Sequence, residues 1–186
     1  APIGYFNIQS LNKIFKYLTD KGYTVIYKRP KNTEFPLDQN EMNTIYNKET
    51  LQEEVEGLGI ISDYDLTTLY KDVILLDDIV QENTNMTYNE VQLNLFANAT
   101  GFIGMSGGST LLLNLFKKQT ITYLYNGSDL RDKFWEDDDG NVNIKNYYYA
   151  MNPNVIPYID RDCVDMHNNN HTEFLKLIKE TFKGKI

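Results

Sequence analysis

The chain has 186 residues, of which 41% are hydrophobic and 24% charged, with 11 glycines, 5 prolines and a single cysteine. This length suits one domain or one lobe of a two-lobed protein, and the composition excludes collagen-like, disulfide-scaffold and wholly disordered chains. The net charge of −8 at pH 7 argues against a nucleic-acid partner, so an anionic ligand would need a local cluster of positive charge.

The first half of the chain alternates predicted helices and strands. A helix is predicted over residues 8–18, where apolar residues recur on one face, and a strand over 23–27 follows it. The polar residues 31–47 predict a loop. The run over 73–76 is continuously apolar, which is typical of a strand buried on both faces. Between the loop over 31–47 and the apolar run over 73–76, we predict a short helix over 51–58, a strand over 60–61 and a helical turn over 66–70.

The second half continues the alternation. Apolar spacing predicts a helix over residues 88–99, and residues 126–154 predict a loop-rich excursion. The remaining predictions are a strand over 101–105, a turn over 106–110, a helix over 111–116, strands over 120–125 and 155–159, and a helix over 172–182. This order indicates an α/β fold: a three-layer, Rossmann-like domain with a mainly parallel sheet. We expect residues 1–186 to form one such domain.

Two features bear on cellular location. Apolar stretches run for only a handful of residues, far short of the roughly 20 that cross a bilayer, so we expect no membrane span. The single Cys163 forms no internal disulfide, and the chain does not open on a charged-then-apolar signal sequence. A reducing, cytoplasmic location is therefore expected.

The predicted turn over residues 106–110 is the strongest candidate for binding a ligand. Ligands of parallel α/β sheets bind outside the carboxyl ends of the strands, where this turn lies. Adjacent glycines allow close approach to the backbone, and free amides at the following helix start suit a phosphate group. An ordinary tight turn capped by Ser109 explains the same residues equally well. The dinucleotide fingerprint and the Walker lysine are both missing. The predicted ligand-binding residues are Ser106, Gly107, Gly108, Ser109 and Thr110.

Lys28 and Arg29 form a positive cluster after the strand predicted over 23–27. Arg29 suits bidentate binding of a diphosphate, and the neighbouring Pro30 restricts the backbone there. Solvated loop charges are the simpler interpretation for Lys28 and Lys31. Lys28 and Arg29 are both candidates for the ligand site.

Asp77 and Asp78 follow the strand predicted over 73–76, at the same edge of the sheet. Either carboxylate suits a general base or a ligand for a ribose, although capping a turn is the commoner role of aspartate there. Both are therefore candidate catalytic residues.

Asn89, Glu90 and Gln92 open the helix predicted over 88–99 and face the gap between strands where a sugar would lie. The helix dipole alone is a sufficient structural reason for Glu90. Glu90 is the third candidate base, favoured slightly over Asp78 because a first-turn helix position is more rigid than a residue leaving a strand. Asn89 and Gln92 are candidate binding residues.

Other polar clusters predict no metal site. The acidic runs 63–65 and 137–139 are most simply solvated. His167 and His171 lack the further ligands of a zinc centre, so loop or capping roles fit them better.

Together these residues resemble the nucleotide-sugar-binding lobe of GT-B-type glycosyltransferases, most closely enzymes of bacterial capsule and large-virus glycan assembly. Three segments carry the likeness: residues 89–93, 96–99 and 102–109. The strand ends at 27–30 and 76–78 are also similar, and the resemblance covers roughly residues 8–130.

The resemblance implies transfer of a sugar, hexosyl or deoxyhexosyl, from a nucleoside diphosphate donor to a glycan hydroxyl, with the diphosphate at residues 106–110. Because no acidic pair other than Asp77 and Asp78 is convincingly predicted at a strand end, we expect transfer to need no obligatory metal or other cofactor. A complete two-lobed enzyme is about twice this length, so an additional domain of the same polypeptide is an expected partner. The alternative is a module that binds a nucleotide or glycan without turnover.

Overall fold

The computed structural model describes residues 6–28, 52–105, 108–125, 144–160 and 171–184. Within these ranges the helices are α1 (Ile8–Asp20), α2 (Asp63–Thr68), α3 (Leu76–Glu82), α4 (Tyr88–Asn98), α5 (Gly108–Asn114), α6 (Ile144–Met151) and α7 (Thr172–Thr181). The strands are β1 (Val25–Tyr27), β2 (Gln52–Val55), β3 (Gly59–Ser62), β4 (Val73–Leu75), β5 (Gly101–Met105), β6 (Gln119–Tyr125) and β7 (Val155–Asp160). No helix in the described ranges combines the length and apolar content that spanning a bilayer requires.

Most of the described strands pair in parallel. Strand β1 pairs with β4, and β6 lies between β5 and β7, all in parallel register. Strands β2 and β3 form an antiparallel hairpin. The predicted α/β class with mainly parallel sheets is confirmed, and the arrangement is compatible with a Rossmann-like fold. The three-layer arrangement stays a prediction.

The chain groups into two compact units. The first unit contains Phe6–Gln92 and Asn170–Ile186, and the second contains Leu93–Asn169. That residues 1–186 form a single domain remains a prediction.

Helices α1 and α7 pack together in the core of the first unit. Asn7 accepts a hydrogen bond from the Ser10 backbone N–H at 2.8 Å and so caps α1. The Tyr17 hydroxyl donates to the Phe182 carbonyl at 2.8 Å, which ties α1 to the end of α7. The apolar residues that predicted these helices are all buried, namely Ile8, Leu11, Ile14, Phe15, Leu18, Phe174, Leu175, Ile178 and Phe182.

The helix predicted over residues 51–58 is wrong, because this segment forms the β2–β3 hairpin. Gly57 and Gly59 have φ angles of +80° and +75°, which end a helix but permit a tight turn. The Leu58 N–H donates to the Val55 carbonyl at 2.9 Å and closes that turn. Turn geometry and cross-strand pairing therefore override the helix propensity of the preceding glutamates.

Strand β4 is shorter and less buried than predicted. Val73 and Leu75 are buried, but Ile74 between them is 37% exposed, so burial on both faces is wrong. Helix α3 begins directly after the strand, which places Asp77 and Asp78 in its first turn. Asp77 and Asp78 are therefore residues of the first helical turn and not residues of a loop after the strand.

Two further elements differ from the prediction. Helix α2 begins at Asp63 instead of residue 66, because Ser62 and Asp65 form a capping box. Helix α6 lies in the segment predicted as loop-rich. Its Tyr148 is buried against Leu124 and Val155, a packing contact that local polarity does not reveal.

One face of the β5–β6–β7 sheet is covered by helices of the second unit. Phe102 of β5 contacts Phe96 of α4, with ring centroids 5.5 Å apart, and both pack with Leu113 of α5. Leu124 of β6 packs with Tyr148 of α6 on the same face. The parallel pairing of the three strands places their carboxyl ends at a common edge.

Candidate functional site

The carboxyl edge of the first unit is formed by β1 and β4. Their parallel register pairs Tyr27 with Leu75, so the residues that follow these two strands start from the same edge. Lys28 follows β1, and the first turn of α3, with Asp77 and Asp78, follows β4. Arg29 lies outside the described residues. This edge is where ligands of parallel α/β sheets bind.

Lys28 is half-buried at this edge. Burial lowers the pKa of its ammonium group, because desolvation disfavours the charged form. A freely solvated loop lysine, the simpler interpretation from sequence, does not fit this environment. A partly desolvated ammonium interacts more strongly with an anion than a fully hydrated one.

Beside Lys28, Tyr27 and Asp63 form a buried contact that the sequence did not indicate. The Tyr27 hydroxyl donates to Asp63 Oδ2 at 2.8 Å, and Asp63 is only 2% exposed. The interpretation of residues 63–65 as a solvated run is therefore wrong for Asp63. Asp65 is exposed, and hydrogen bonds from the Ser62 hydroxyl and backbone N–H lower the pKa of its carboxyl. The hydrogen bonds to Tyr27 and Ser62 therefore give Asp63 and Asp65, respectively, a structural role.

Helix α4 confirms the helix predicted over residues 88–99, but its polar residues do not share one environment. Asn89 and Glu90 are exposed, whereas Gln92 is 5% exposed. The Oε1 atom of Gln92 is buried without a hydrogen-bond partner in the part of the chain that the structure describes. The apolar Leu93, which follows Gln92 in the helix, is 42% exposed.

Glu90 forms a capping box with Thr87. The Thr87 backbone N–H donates to Glu90 Oε2 at 2.7 Å, the Thr87 hydroxyl donates to the same oxygen at 2.9 Å, and both bonds lower the pKa of the Glu90 carboxyl. A lower pKa makes Glu90 a weaker base. Since Asp77 and Asp78 are also first-turn helix residues, rigidity no longer favours Glu90 over them.

The carboxyl edge of the second unit includes the connection from β5 to α5. Helix α5 begins at Gly108 instead of at the predicted residue 111, so the first-turn amides belong to Gly108, Ser109 and Thr110. The helix is only 7 residues long. Ser106 and Gly107 lie outside the described residues.

Thr110 joins α5 to the end of β5. Its side chain is 3% exposed, and its hydroxyl donates to the Met105 carbonyl, so it positions the helix instead of facing a ligand as predicted. A Cβ atom added at Gly104 would lie 3.1 Å from Thr110 Oγ1. Glycine at this position therefore permits the close approach of helix and strand.

Tyr123, Tyr158 and Asp160 lie on β6 and β7 near the same edge. The Tyr123 hydroxyl donates to Asp160 Oδ2 at 2.7 Å, and the Tyr123 and Tyr158 rings are 5.4 Å apart with an interplanar angle of 31°. Tyr123 is fully buried, whereas Tyr158 and Asp160 are partly exposed. This cluster was not predicted from the sequence, although an aspartate that ends an apolar strand is the same signal that indicated Asp77.

The amino edge of the same sheet is held by amide side chains. Asn152 is fully buried, and its Nδ2 donates to the Lys118 carbonyl at 2.9 Å and to Thr120 Oγ1 at 3.4 Å. Its Oδ1 accepts from the Asn154 backbone N–H at 2.9 Å, and Asn154 Nδ2 donates to the Lys117 carbonyl at 2.8 Å. These hydrogen bonds pair the backbone groups of the segments that precede β6 and β7 with side chains of the same protein. We call Asn152 and Asn154 the amino-edge clamp.

The predicted site residues fall in both units. Lys28, Asp77, Asp78, Asn89, Glu90 and Gln92 belong to the first unit, and Gly108, Ser109 and Thr110 to the second. His171, buried in the first unit, lies with its Nδ1 2.7 Å from Ser10 Oγ, and His167 is outside the described residues. Among the described residues, no three His, Cys, Asp or Glu side chains group as a metal site.

No protein-family model, curated protein or solved structure matches the chain. Lys28, Asp77 and Asp78 follow the carboxyl ends of parallel strands in the first unit, and residues 108–110 follow β5 in the second. Asn89, Glu90 and Gln92 begin α4, which follows α3 and not a strand.

Proposed function

We propose that this chain binds a nucleoside diphosphate sugar and belongs to a glycosyltransferase that passes the sugar, hexosyl or deoxyhexosyl, to a glycan hydroxyl. The register of β1 and β4 is the observation that carries the proposal, because it gives Lys28 and the aspartates of α3 a common edge. A cation and carboxylates that start from one edge suit a donor diphosphate and an acceptor hydroxyl, respectively.

Within the first unit, the diphosphate would interact with the positive cluster of Lys28 and Arg29. Lys28 is half-buried, so its charge is less screened by water than that of a surface lysine. These charges supply the stabilisation of the leaving group, and we expect transfer to need no obligatory divalent metal.

A carboxylate of α3 is the favoured general base. Asp78 or Asp77 would take the proton of the acceptor hydroxyl while the hydroxyl oxygen forms a bond to the anomeric carbon of the donor sugar. The bond from that carbon to the diphosphate oxygen breaks, and the nucleoside diphosphate leaves with the electron pair. The capping role and lowered pKa of Glu90 make it the weaker candidate.

Lys28→Gln tests donor binding directly. Calorimetric titration with uridine and guanosine diphosphates is expected to show about tenfold weaker binding than the unchanged chain, because a charge-assisted contact is lost. Lys71→Gln is the matched control: Lys71 is exposed and belongs to the same unit. We expect the Lys71→Gln variant to bind both nucleotides with unchanged affinity. We also expect a chelator of divalent metals to have no effect on the titration of either variant.

Turnover is measured as free nucleoside diphosphate released from uridine- and guanosine-diphosphate sugars with an oligosaccharide acceptor. Asp78→Asn is expected to slow release while the donor affinity stays nearly constant, since a base contacts only the acceptor. Binding without release in the presence of acceptor would contradict transfer by this chain and favour the binding-module alternative. Equal effects of Lys28→Gln and Lys71→Gln would contradict the assigned diphosphate site.

A further inference from the structure

The outer face of the β2–β3 hairpin has chemistry that the proposed diphosphate site does not use. The antiparallel register pairs Glu54 with Ile60, so these two side chains lie on the same face of the hairpin. Glu54 is exposed, Ile60 is 73% exposed, and Leu58 in the turn is also exposed. We propose that this face docks a basic segment of a partner protein, which places an apolar side chain on Ile60 and lysine or arginine side chains on the neighbouring glutamates.

The opposite face of the hairpin is the one that packs on the protein. Val55 is 3% exposed, and Glu53 Oε2 accepts a hydrogen bond from the Ile8 backbone N–H at 2.8 Å. This bond holds β2 against the start of α1. Side chains alternate between the two faces of a strand, so Glu54 points away from this contact and Ile60 points outward with it. The inner face therefore fixes the hairpin, and the outer face is left accessible.

The charge around Ile60 indicates the kind of partner that fits. Residues 52–65 contain no lysine or arginine and five acidic residues, namely Glu53, Glu54, Glu56, Asp63 and Asp65. Glu54 and Glu56 are both exposed, and among the residues that the structure describes neither has an ion-pair partner. An apolar centre with a charged rim is the usual anatomy of a protein–protein interface. Negative charge at the rim is complementary to a cationic segment.

The same charge disfavours the other occupants of an exposed apolar face. A second copy of the chain would bring its own Glu54 and Glu56 close to these glutamates, and like charges repel across such a contact. The net charge of −8 adds to this repulsion at longer range. Nucleic acids and anionic membranes are repelled for the same reason. A basic segment with an apolar residue between its charges gains from both features of the face.

A fluorescein-labelled peptide of alternating lysine and leucine residues is the probe, and its fluorescence anisotropy measures binding to the unchanged chain. Two further peptides replace either every leucine by serine or every lysine by glutamate. We expect saturable binding of the lysine–leucine peptide and much weaker binding of the other two. The affinity should fall as the salt concentration rises, because salt screens exposed charges.

Two variants locate the binding at the hairpin. Ile60→Ser removes the apolar centre and is expected to weaken binding of the lysine–leucine peptide by about tenfold. The double variant Glu54→Gln with Glu56→Gln is expected to weaken it by about three- to tenfold and to reduce its salt dependence. Both variants change exposed side chains, so circular dichroism should show an unchanged fold.

Matched control variants are available elsewhere on the surface. Leu115→Ser changes an apolar residue that is 64% exposed in the second unit. The double variant Glu82→Gln with Glu180→Gln makes the same change of net charge in the first unit, and both residues are exposed. We expect both control variants to bind the lysine–leucine peptide with unchanged affinity.

Three results would overturn the assigned docking face. The first is no saturable binding of the lysine–leucine peptide, or binding that Ile60→Ser leaves unchanged. The second is equal weakening by the two glutamate double variants, which would show that only the net charge of the chain attracts the peptide. The third is a dimer of the unchanged chain in sedimentation velocity that Ile60→Ser dissociates, which would identify a second copy as the occupant.

Discussion

The two units each contain a tyrosine–aspartate hydrogen bond near the carboxyl edge of a parallel sheet, but with opposite burial. In the first unit, Asp63 is 2% exposed and its donor Tyr27 is partly exposed. In the second unit, Tyr123 is fully buried and its acceptor Asp160 is partly exposed. The first pair therefore holds its carboxylate inside the protein, whereas the second presents its carboxylate at the surface.

This difference in burial should change how much each hydrogen bond stabilises the fold. Burying a charged carboxylate is costly unless donors compensate for lost water, so the Tyr27–Asp63 bond should contribute mainly to stability. A partly exposed carboxylate keeps part of its hydration, so the Tyr123–Asp160 bond should contribute less to stability.

The largest expected effect is on stability in the first unit. Tyr27→Phe keeps the ring that packs against Phe15 but removes a donor from the buried Asp63 carboxylate. We expect the free energy of unfolding in urea to fall by about 1.5–3 kcal/mol, the range for hydrogen bonds to charged groups. Tyr123→Phe is the matched variant and should cost less than about 1 kcal/mol, because water can replace the lost donor at Asp160. Equal losses of unfolding free energy in Tyr27→Phe and Tyr123→Phe would contradict the difference between the two tyrosine–aspartate pairs.

A smaller effect is expected where β5 meets α5. In Gly104→Ala the new methyl group would lie 3.1 Å from Thr110 Oγ1, and overpacking of this kind costs about 1–3 kcal/mol. Thr110→Ala removes the opposing atom. The double variant should therefore lose less unfolding free energy than the sum of the two single variants. Strict additivity would show that Thr110 does not set the approach of the helix to the strand.

The smallest effect concerns the capping box of α4 and its pH dependence. The folded-state pKa of Glu90 lies below the usual value of 4.5, so its charged form contributes stability above that pH and the contribution is lost as pH falls through the folded pKa. Glu90→Gln retains a capping side chain without this titration. The melting temperatures of the unchanged and Glu90→Gln chains should differ slightly at pH 7 and converge in acid. A gap that widens in acid would contradict the capping role.

The helices with regular apolar spacing were predictable from sequence. For α1, α4 and α7 the spacing of residues predicts the element, and for α1 and α7 also the buried face. The hairpin at 52–62 was not predictable in this way, because its glutamates favour a helix while two glycines with positive φ and pairing across the turn determine the structure. Local propensity is a weak predictor where such pairing competes with it.

The strand ends of the candidate site were also predictable, but its side-chain contacts were not. Lys28, Asp77 and Asp78 follow apolar runs, which a sequence displays directly. The two tyrosine–aspartate bonds join residues 36 and 37 positions apart, so only the folded register reveals them. The capping role of Glu90 lay within reach of sequence, since Thr87 stands three residues before it, which is the spacing of a capping box.

The central claim is that a nucleoside diphosphate sugar binds at the carboxyl ends of the parallel strands. Backbone amide chemical shifts, followed while uridine or guanosine diphosphate is titrated into the isotope-labelled chain, test this most directly. We predict saturable shifts at Lys28, Asp77 and Asp78, with the amides of Asn152 and Asn154 at the amino-edge clamp unchanged. Saturable shifts confined to Asn152, Asn154 and their neighbours, or no saturable shift with either nucleotide, would contradict the account.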